Sequence, residues 1–163
     1  MKTVVVFYSM SGNCEYAAGK AAELLDADLI RLEPVKAYPD KGVRKFLWGG
    51  KSAVIGDTPE LLPYEFNPEK YGRVIFCFPV WASSPTPPIR TFVRDNLEGF
   101  RGKQLAALLS FSGGGADKAL IKLKELLGVK ELDAELALID PKDKPDPEKD
   151  KKIEDFCAEL ADL

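Results

Sequence analysis

The sequence predicts a three-layer α/β/α sandwich built on a five-stranded parallel sheet of order 2-1-3-4-5, and three observations lead there. Short runs rich in β-branched and aromatic residues alternate with amphipathic stretches along all 163 residues, the pattern of repeated β-α-β units. Three of those five runs are continuously apolar, whereas the second and fifth alternate polar with apolar residues, so the second and fifth belong at the sheet edges. This assignment disfavours the strand order of dinucleotide-binding domains, in which the third strand is an outer strand of its half. The third observation is that the three apolar runs each lead into a loop of unusual composition. In the predicted order these loops meet where the chain reverses direction, which is where ligands bind in such sheets.

Composition frames the rest. With 45% hydrophobic and 30% charged residues, the chain reads as one folded domain over residues 1–163 rather than a disordered segment. A net charge of -3 and a pI near 5.2 recommend neither nucleic acid nor an anionic membrane as partner. No apolar run approaches bilayer length. The strand pattern starts directly after Met1-Lys2 with no charged n-region, long apolar region and cleavage site, so a cytoplasmic protein is expected. Three scattered cysteines make neither a disulfide framework nor a zinc site, and Cys77 and Cys157 read as small buried hydrophobes. The absence of histidine removes most hydrolase triads and catalytic zinc sites.

Each element follows from its residues. Thr3 to Tyr8 is the first interior strand. After the turn Ser9-Met10-Ser11-Gly12-Asn13-Cys14, the spacing of Tyr16, Ala17, Ala21, Leu24 and Leu25 predicts the first helix. Asp28 to Glu33 alternates and predicts an edge strand. Pro34 to Pro39 is a loop, Asp40 can cap, and Val43, Phe46, Leu47 and Val54 predict a second helix, with Trp48 in the core or on a partner surface. Gly50-Lys51-Ser52 invites a P-loop reading, but that motif needs glycine where Lys45 stands. Gly56 to Tyr71, with Pro59, Pro63 and Pro68, reads as a long surface excursion containing a short turn at Asn67 to Tyr71.

Arg73 to Phe78 is the second interior strand. It enters the stiff loop Pro79-Val80-Trp81-Ala82-Ser83-Ser84-Pro85-Thr86-Pro87-Pro88, within which Thr86 can cap and Pro87 open a helix that buries Ile89, Phe92, Val93 and Leu97. Gln104 to Phe111 is the third interior strand, followed by Ser112-Gly113-Gly114-Gly115 and a helix with Ala116, Leu120, Leu123 and Leu127 on one side. Ala134 to Asp140 alternates as the other edge strand. Pro141 to Lys152 is charged and reads as a solvated loop, and Asp146-Pro147 starts a last helix burying Ile153, Phe156, Cys157 and Leu160.

The loops specify a chemistry. A turn that opens a helix presents unpaired N–H groups and the positive end of the helix dipole, so Ser9 to Cys14 can cradle a phosphate, with side-chain donors from Ser9, Ser11 and Asn13. The alternative is an ordinary capped strand-to-helix turn. Trp81 offers a flat face, or else packs on the neighbouring prolines. Backbone groups around Val80 to Ser83 and around Ser110, Phe111, Ser112, Gly113 and Gly114 can bond a polar ring edge. A phosphorylated planar cofactor suits this set, and FMN is the natural candidate.

These loops carry a resemblance. Ser9-Met10-Ser11-Gly12-Asn13 is similar to the phosphate loop of the flavodoxin-like family, written loosely T/S-x-T/S-G-N-T. Pro79-Val80-Trp81 running into Pro87-Pro88 resembles that family's second flavin loop, and Ser112-Gly113-Gly114 stands where its third is expected. The match in element order covers essentially the whole chain. The resemblance implies bound FMN and an electron-carrying protein working with a redox partner. The same flavin site also fits a reductase that takes hydride from NAD(P)H to a quinone or similar acceptor, or a flavin-binding module without catalysis.

The chain departs from that pattern in three places. Cys14 replaces a threonine, so only its backbone N–H is carried over, and no redox role is expected of it because a bound phosphate opposes a thiolate alongside. Glycines stand where carriers often place a ring-covering tyrosine, Phe111 being the only aromatic near, which implies an open ring face. Trp81-Ala82-Ser83-Ser84 also lacks the glycine whose peptide turns over to bond the half-reduced ring. Oligomeric state is not specified by the sequence.

Overall fold

The computed structural model describes residues 1–39 and 56–163. In chain order these form β1 (Thr3–Phe7), α1 (Asn13–Leu25), β2 (Asp28–Arg31), β3 (Arg73–Pro79), α2 (Pro87–Asn96), β4 (Gln104–Phe111), α3 (Ala116–Leu127), β5 (Ala134–Ile139) and α4 (Pro147–Ala161). The five strands are parallel in the order β2-β1-β3-β4-β5. The expected order is therefore the observed one. The helix expected around Val43 to Val54, with Trp48 and Gly50-Lys51-Ser52, lies outside the described residues.

Alternating strand residues feed two cores. Val4 and Val6, Val74, Phe76 and Phe78, and Leu105, Ala107 and Leu109 pack with α2 and α3 on one face. Val5, Phe7, Ile75, Cys77, Ala106 and Leu108 pack with α1 and α4 on the other. Strands buried on both faces need an apolar residue at every position, which is why β1, β3 and β4 read as continuous runs. Edge position explains the polar admixture of the outer pair, where Leu29 and Ile139 remain exposed.

The helix ends follow from their sequences with one exception. Pro147 opens α4 beneath Asp146, whose carboxylate accepts from the Glu148 N–H at 2.9 Å. Thr86 precedes Pro87 as expected, yet its hydroxyl makes no cap bond; it is fully buried and unpartnered among the described residues. The expected stripes also need trimming. Leu97 is 41% exposed because the chain tightens there into a 3-10 turn, Leu97–Phe100, and Phe100 fills the core instead. Leu24 is half-exposed, leaving the alanines of α1 to make its close contact with the sheet.

The stretch from Gly56 to Tyr71 is less peripheral than expected. Leu61 bridges antiparallel to Pro34, Tyr64 and Phe66 pack onto the core, and a 3-10 turn, Pro68–Lys70, follows the Asn67 cap. Apolar side chains inside a proline-rich segment draw it onto the helix α2 side. No helix among the described residues is long and apolar enough to cross a membrane.

Candidate functional site

At the carboxyl ends of β1, β3 and β4 the loops enclose a cleft of about 330 Å3, within the range of small-molecule sites. Of the residues expected there, Met10, Ser11, Asn13, Pro79, Val80, Trp81, Ala82, Ser110, Phe111, Ser112, Gly113 and Gly114 line it. Ser9, Gly12, Cys14 and Ser83 are not among its lining residues, although each adjoins one in the chain.

The first loop is a left-handed turn. Gly12, at φ 96°, caps α1, a conformation that suits a residue without Cβ. Its N–H donates to the buried Ser9 hydroxyl at 3.1 Å, and the Tyr16 N–H returns to the Gly12 carbonyl at 3.0 Å. The N–H groups of Asn13, Cys14 and Glu15 have no hydrogen-bond partner among the described residues, so the turn retains the donors that an anion needs.

Asn13 departs from expectation. Its amide donates to Ser11 Oγ at 3.1 Å and to Asp143 Oδ2 at 2.9 Å, while its oxygen accepts from the N–H groups of Lys142 and Asp143. Both side-chain donors are thereby engaged, and Asn13 acts as a tie between the first loop and the β5–α4 loop rather than as a free donor. Cys14 is buried, with Sγ 3.1 Å from Ser110 Oγ. Cys77 lies beside it, its thiol donating to the Cys14 carbonyl at 3.5 Å, and burial first, then the neighbouring Cys14, push its pKa well up. Cys157 is buried like these two, and burial raises it to about 11.

The second loop holds backbone strain. Ala82 (φ 48°) and Ser83 (φ 54°) are both left-handed, inside a turn closed by Trp81 N–H to Ser84 carbonyl (3.2 Å) and Ser84 N–H to Trp81 carbonyl (3.0 Å). Left-handed residues at both central positions mark a type I′ turn, which usually calls on glycine or asparagine. Trp81 stands edge-on to Tyr8 (centroids 5.6 Å) and Tyr38 (5.2 Å), so tyrosines are among its packing partners. Burial raises the Tyr8 pKa far above the ordinary phenol value, and Tyr38 and Glu33 add to this. Tyr8 therefore stays neutral beside the cleft.

The third loop is open. A Cβ placed on Gly113 or Gly114 would meet no atom within 4 Å. Gly115, by contrast, is left-handed at φ 87° and presses on Ser83, whose Cα would lie 3.0 Å from an added Cβ. Asp140, which the sequence reading passed over, completes the wall: it accepts from the Ser112 hydroxyl at 2.7 Å and pairs with Lys144 at 2.9 Å. Burial raises its pKa, but hydrogen bonds from Lys144 and Ser112 outweigh that and leave it lowered. Asp140 follows an edge strand as its last polar residue and is left-handed at φ 39°. Nothing local in the sequence signals either that conformation or its reach to Ser112.

A family model described as Flavodoxin matches residues 2–136. The chain belongs to the flavodoxin family. Solved structures agree on the fold of this flavodoxin-family protein. A flavoprotein from Lactobacillus acidophilus, solved in complex with FMN, superposes with a TM-score of 0.70 at 20% identity, covering 87% of this chain and 95% of that one. A Bacteroides uniformis chain described as a flavoprotein gives 0.72 at 19% identity over 93% and 96%. A flavodoxin from the domain Archaea gives 0.64 at 16% identity over 99% and 97%. No curated protein sequence matches the chain.

Proposed function

We propose that the cleft binds FMN and that the protein carries electrons through it in the cytoplasm, exchanging them with a redox partner protein. One observation carries this reading: a helix-opening turn with unpaired N–H groups and a half-buried tryptophan share a single cleft at the ends of β1 and β3. The N–H groups of Asn13, Cys14 and Glu15 receive the phosphate. Trp81 supports the ring, and the exposed backbone of Ser112, Gly113 and Gly114 bonds its polar edge. When bound, FMN supplies reversible uptake and release of electrons, while the protein sets orientation, solvent access and nearby charge. The L. acidophilus relative in complex with FMN supports the choice of cofactor, and three buried free thiols are in keeping with a reducing compartment.

The open Gly113 and Gly114 side favours a second reading, a reductase whose nicotinamide donor stacks on the uncovered ring face. The test is a visible spectrum of the apoprotein titrated with FMN, then anaerobic addition of NADPH, then of a flavodoxin reductase. A carrier shifts the flavin bands on binding and bleaches only when the reductase is present. Direct bleaching by NADPH establishes the second reading, and an unshifted spectrum refutes FMN binding.

A further inference from the structure

We infer that Lys142 is the residue that reads the ligand's phosphate, so that this site prefers FMN to riboflavin through a cation delivered by the β5–α4 loop. The inference rests on the FMN reading above. The loop is seated on the first turn by Asn13, which is 5% exposed and whose oxygen accepts from the N–H groups of Lys142 (2.9 Å) and Asp143 (3.1 Å). The lysine stem consequently lies across Gly12, where an added Cβ would fall 2.7 Å from Nζ and 3.1 Å from Cδ. A side chain at this position would push the lysine away from the turn.

The ammonium donates to the Ser11 carbonyl at 3.3 Å, and no carboxylate among the described residues lies within ion-pair distance of it. The two nearest acids in sequence are otherwise engaged: Asp140 with Lys144 and Ser112, Asp143 with Asn13. Its position is electrostatically unfavourable on its own, because a cation beside a helix N-terminus meets the positive end of the dipole. An anion between the two is attracted by both, by the ammonium and by the positive helix end, and so offsets their repulsion. Cys14 offers that anion no side-chain donor, since its sulfur faces Ser110, so Lys142, whose ammonium already reaches the turn at the Ser11 carbonyl, is the group among the described residues that can add charge-assisted bonding to the backbone N–H groups.

Calorimetric titration of the apoprotein and of Lys142→Ala and Lys142→Arg, each with FMN and with riboflavin, tests this. A charge-assisted bond lost with Lys142→Ala weakens FMN binding by about tenfold to a hundredfold and leaves riboflavin affinity unchanged, while Lys142→Arg keeps the preference. Unchanged FMN affinity in Lys142→Ala overturns the inference and leaves the cofactor reading standing. Equal losses for both ligands overturn it too, because they report loop placement rather than phosphate recognition. An apoprotein that binds neither ligand refutes the cofactor reading, and the role of Lys142 falls with it. Lys142 is exposed, so an unchanged urea midpoint verifies that each variant folds.

Discussion

Replacing Asn13 by alanine removes four hydrogen bonds, one to Ser11 within the first loop and three that reach the β5–α4 loop 129 or 130 positions away in sequence. Three of these bonds are between neutral groups, worth about 1 kcal/mol each, and the one to the Asp143 carboxylate is worth about 1.5–3 kcal/mol. Their sum overstates the loss. Lys142 and Asp143 are exposed, so water takes over part of the bonding once the amide is gone, and a net destabilisation of about 2–4 kcal/mol is expected. For a chain of this size that lowers Tm by about 5–15 °C. Urea unfolding of the apoprotein, followed by circular dichroism and by tryptophan fluorescence together, measures it. Asn13→Asp separates the bonds further: it keeps an acceptor for the two N–H groups but sets a carboxylate against Asp143. It should be as unstable as the alanine variant at neutral pH and should recover as the pH falls toward carboxyl titration. A loss below about 0.5 kcal/mol in Asn13→Ala would mean that the loop holds its place without this tie.

Three further expectations follow from the same geometry. Gly115→Ala forces a Cβ onto a residue at φ 87° and toward the Ser83 backbone, adding about 1–2 kcal/mol of left-handed strain and about 1–3 kcal/mol of overpacking; thermal unfolding within error of the parent would show that the second loop yields freely. Trp81→Ala removes the edge contacts to Tyr8 and Tyr38 and the ring support, so FMN affinity should fall by about tenfold, roughly 1.4 kcal/mol, with reduced quenching of flavin fluorescence; an identical titration curve would exclude stacking. Asp28 sits among Lys70, Tyr71 and Lys2, whose hydrogen bonds hold its carboxyl well below the ordinary 3.8. A depressed folded pKa stabilises above the unfolded value and loses that contribution as the pH falls through the folded one. Asp28→Asn should accordingly lose less stability than the parent between pH 5 and pH 2, and parallel urea midpoints across that range would rule the contribution out.

Sheet order was legible because burial on one face or two is written directly into residue alternation. The side of a helix is written less firmly: Leu24 keeps the helical spacing yet stays half-exposed, and Leu97 falls in the 3-10 turn that follows α2. The three loops of the cleft were legible from composition, since hydroxyl, glycine and proline clusters break the apolar rhythm. The fourth was not. Asp140, Lys142 and Asp143 have the residue types of a solvated loop, and only the fold brings them to Ser112, Ser11 and Asn13. The left-handed pair Ala82 and Ser83 was equally hidden, because neither residue type announces a conformation it seldom adopts. Tyr8 read as the end of a strand, and its ring's approach to Trp81 depends on how far the second loop folds back.

The strained turn persists because several contacts over-determine it. Ser84 is bonded to Trp81 through both backbone groups, its hydroxyl accepts from Lys122 Nζ at 2.6 Å, and Gly115 presses on Ser83 from the third loop. Strain of order 1–3 kcal/mol per residue survives only under such constraint. The other end of the cleft is built differently, from exposed charges and one asparagine that joins two loops. The ring end is therefore set before a ligand arrives, whereas the phosphate end is completed by it. Substitutions at Gly115 should thus disturb stability and ligand binding together, while substitution of Lys142 should act on phosphate recognition alone. A Lys142 variant that unfolded the apoprotein, or a Gly115 variant that altered affinity without altering stability, would reverse that division.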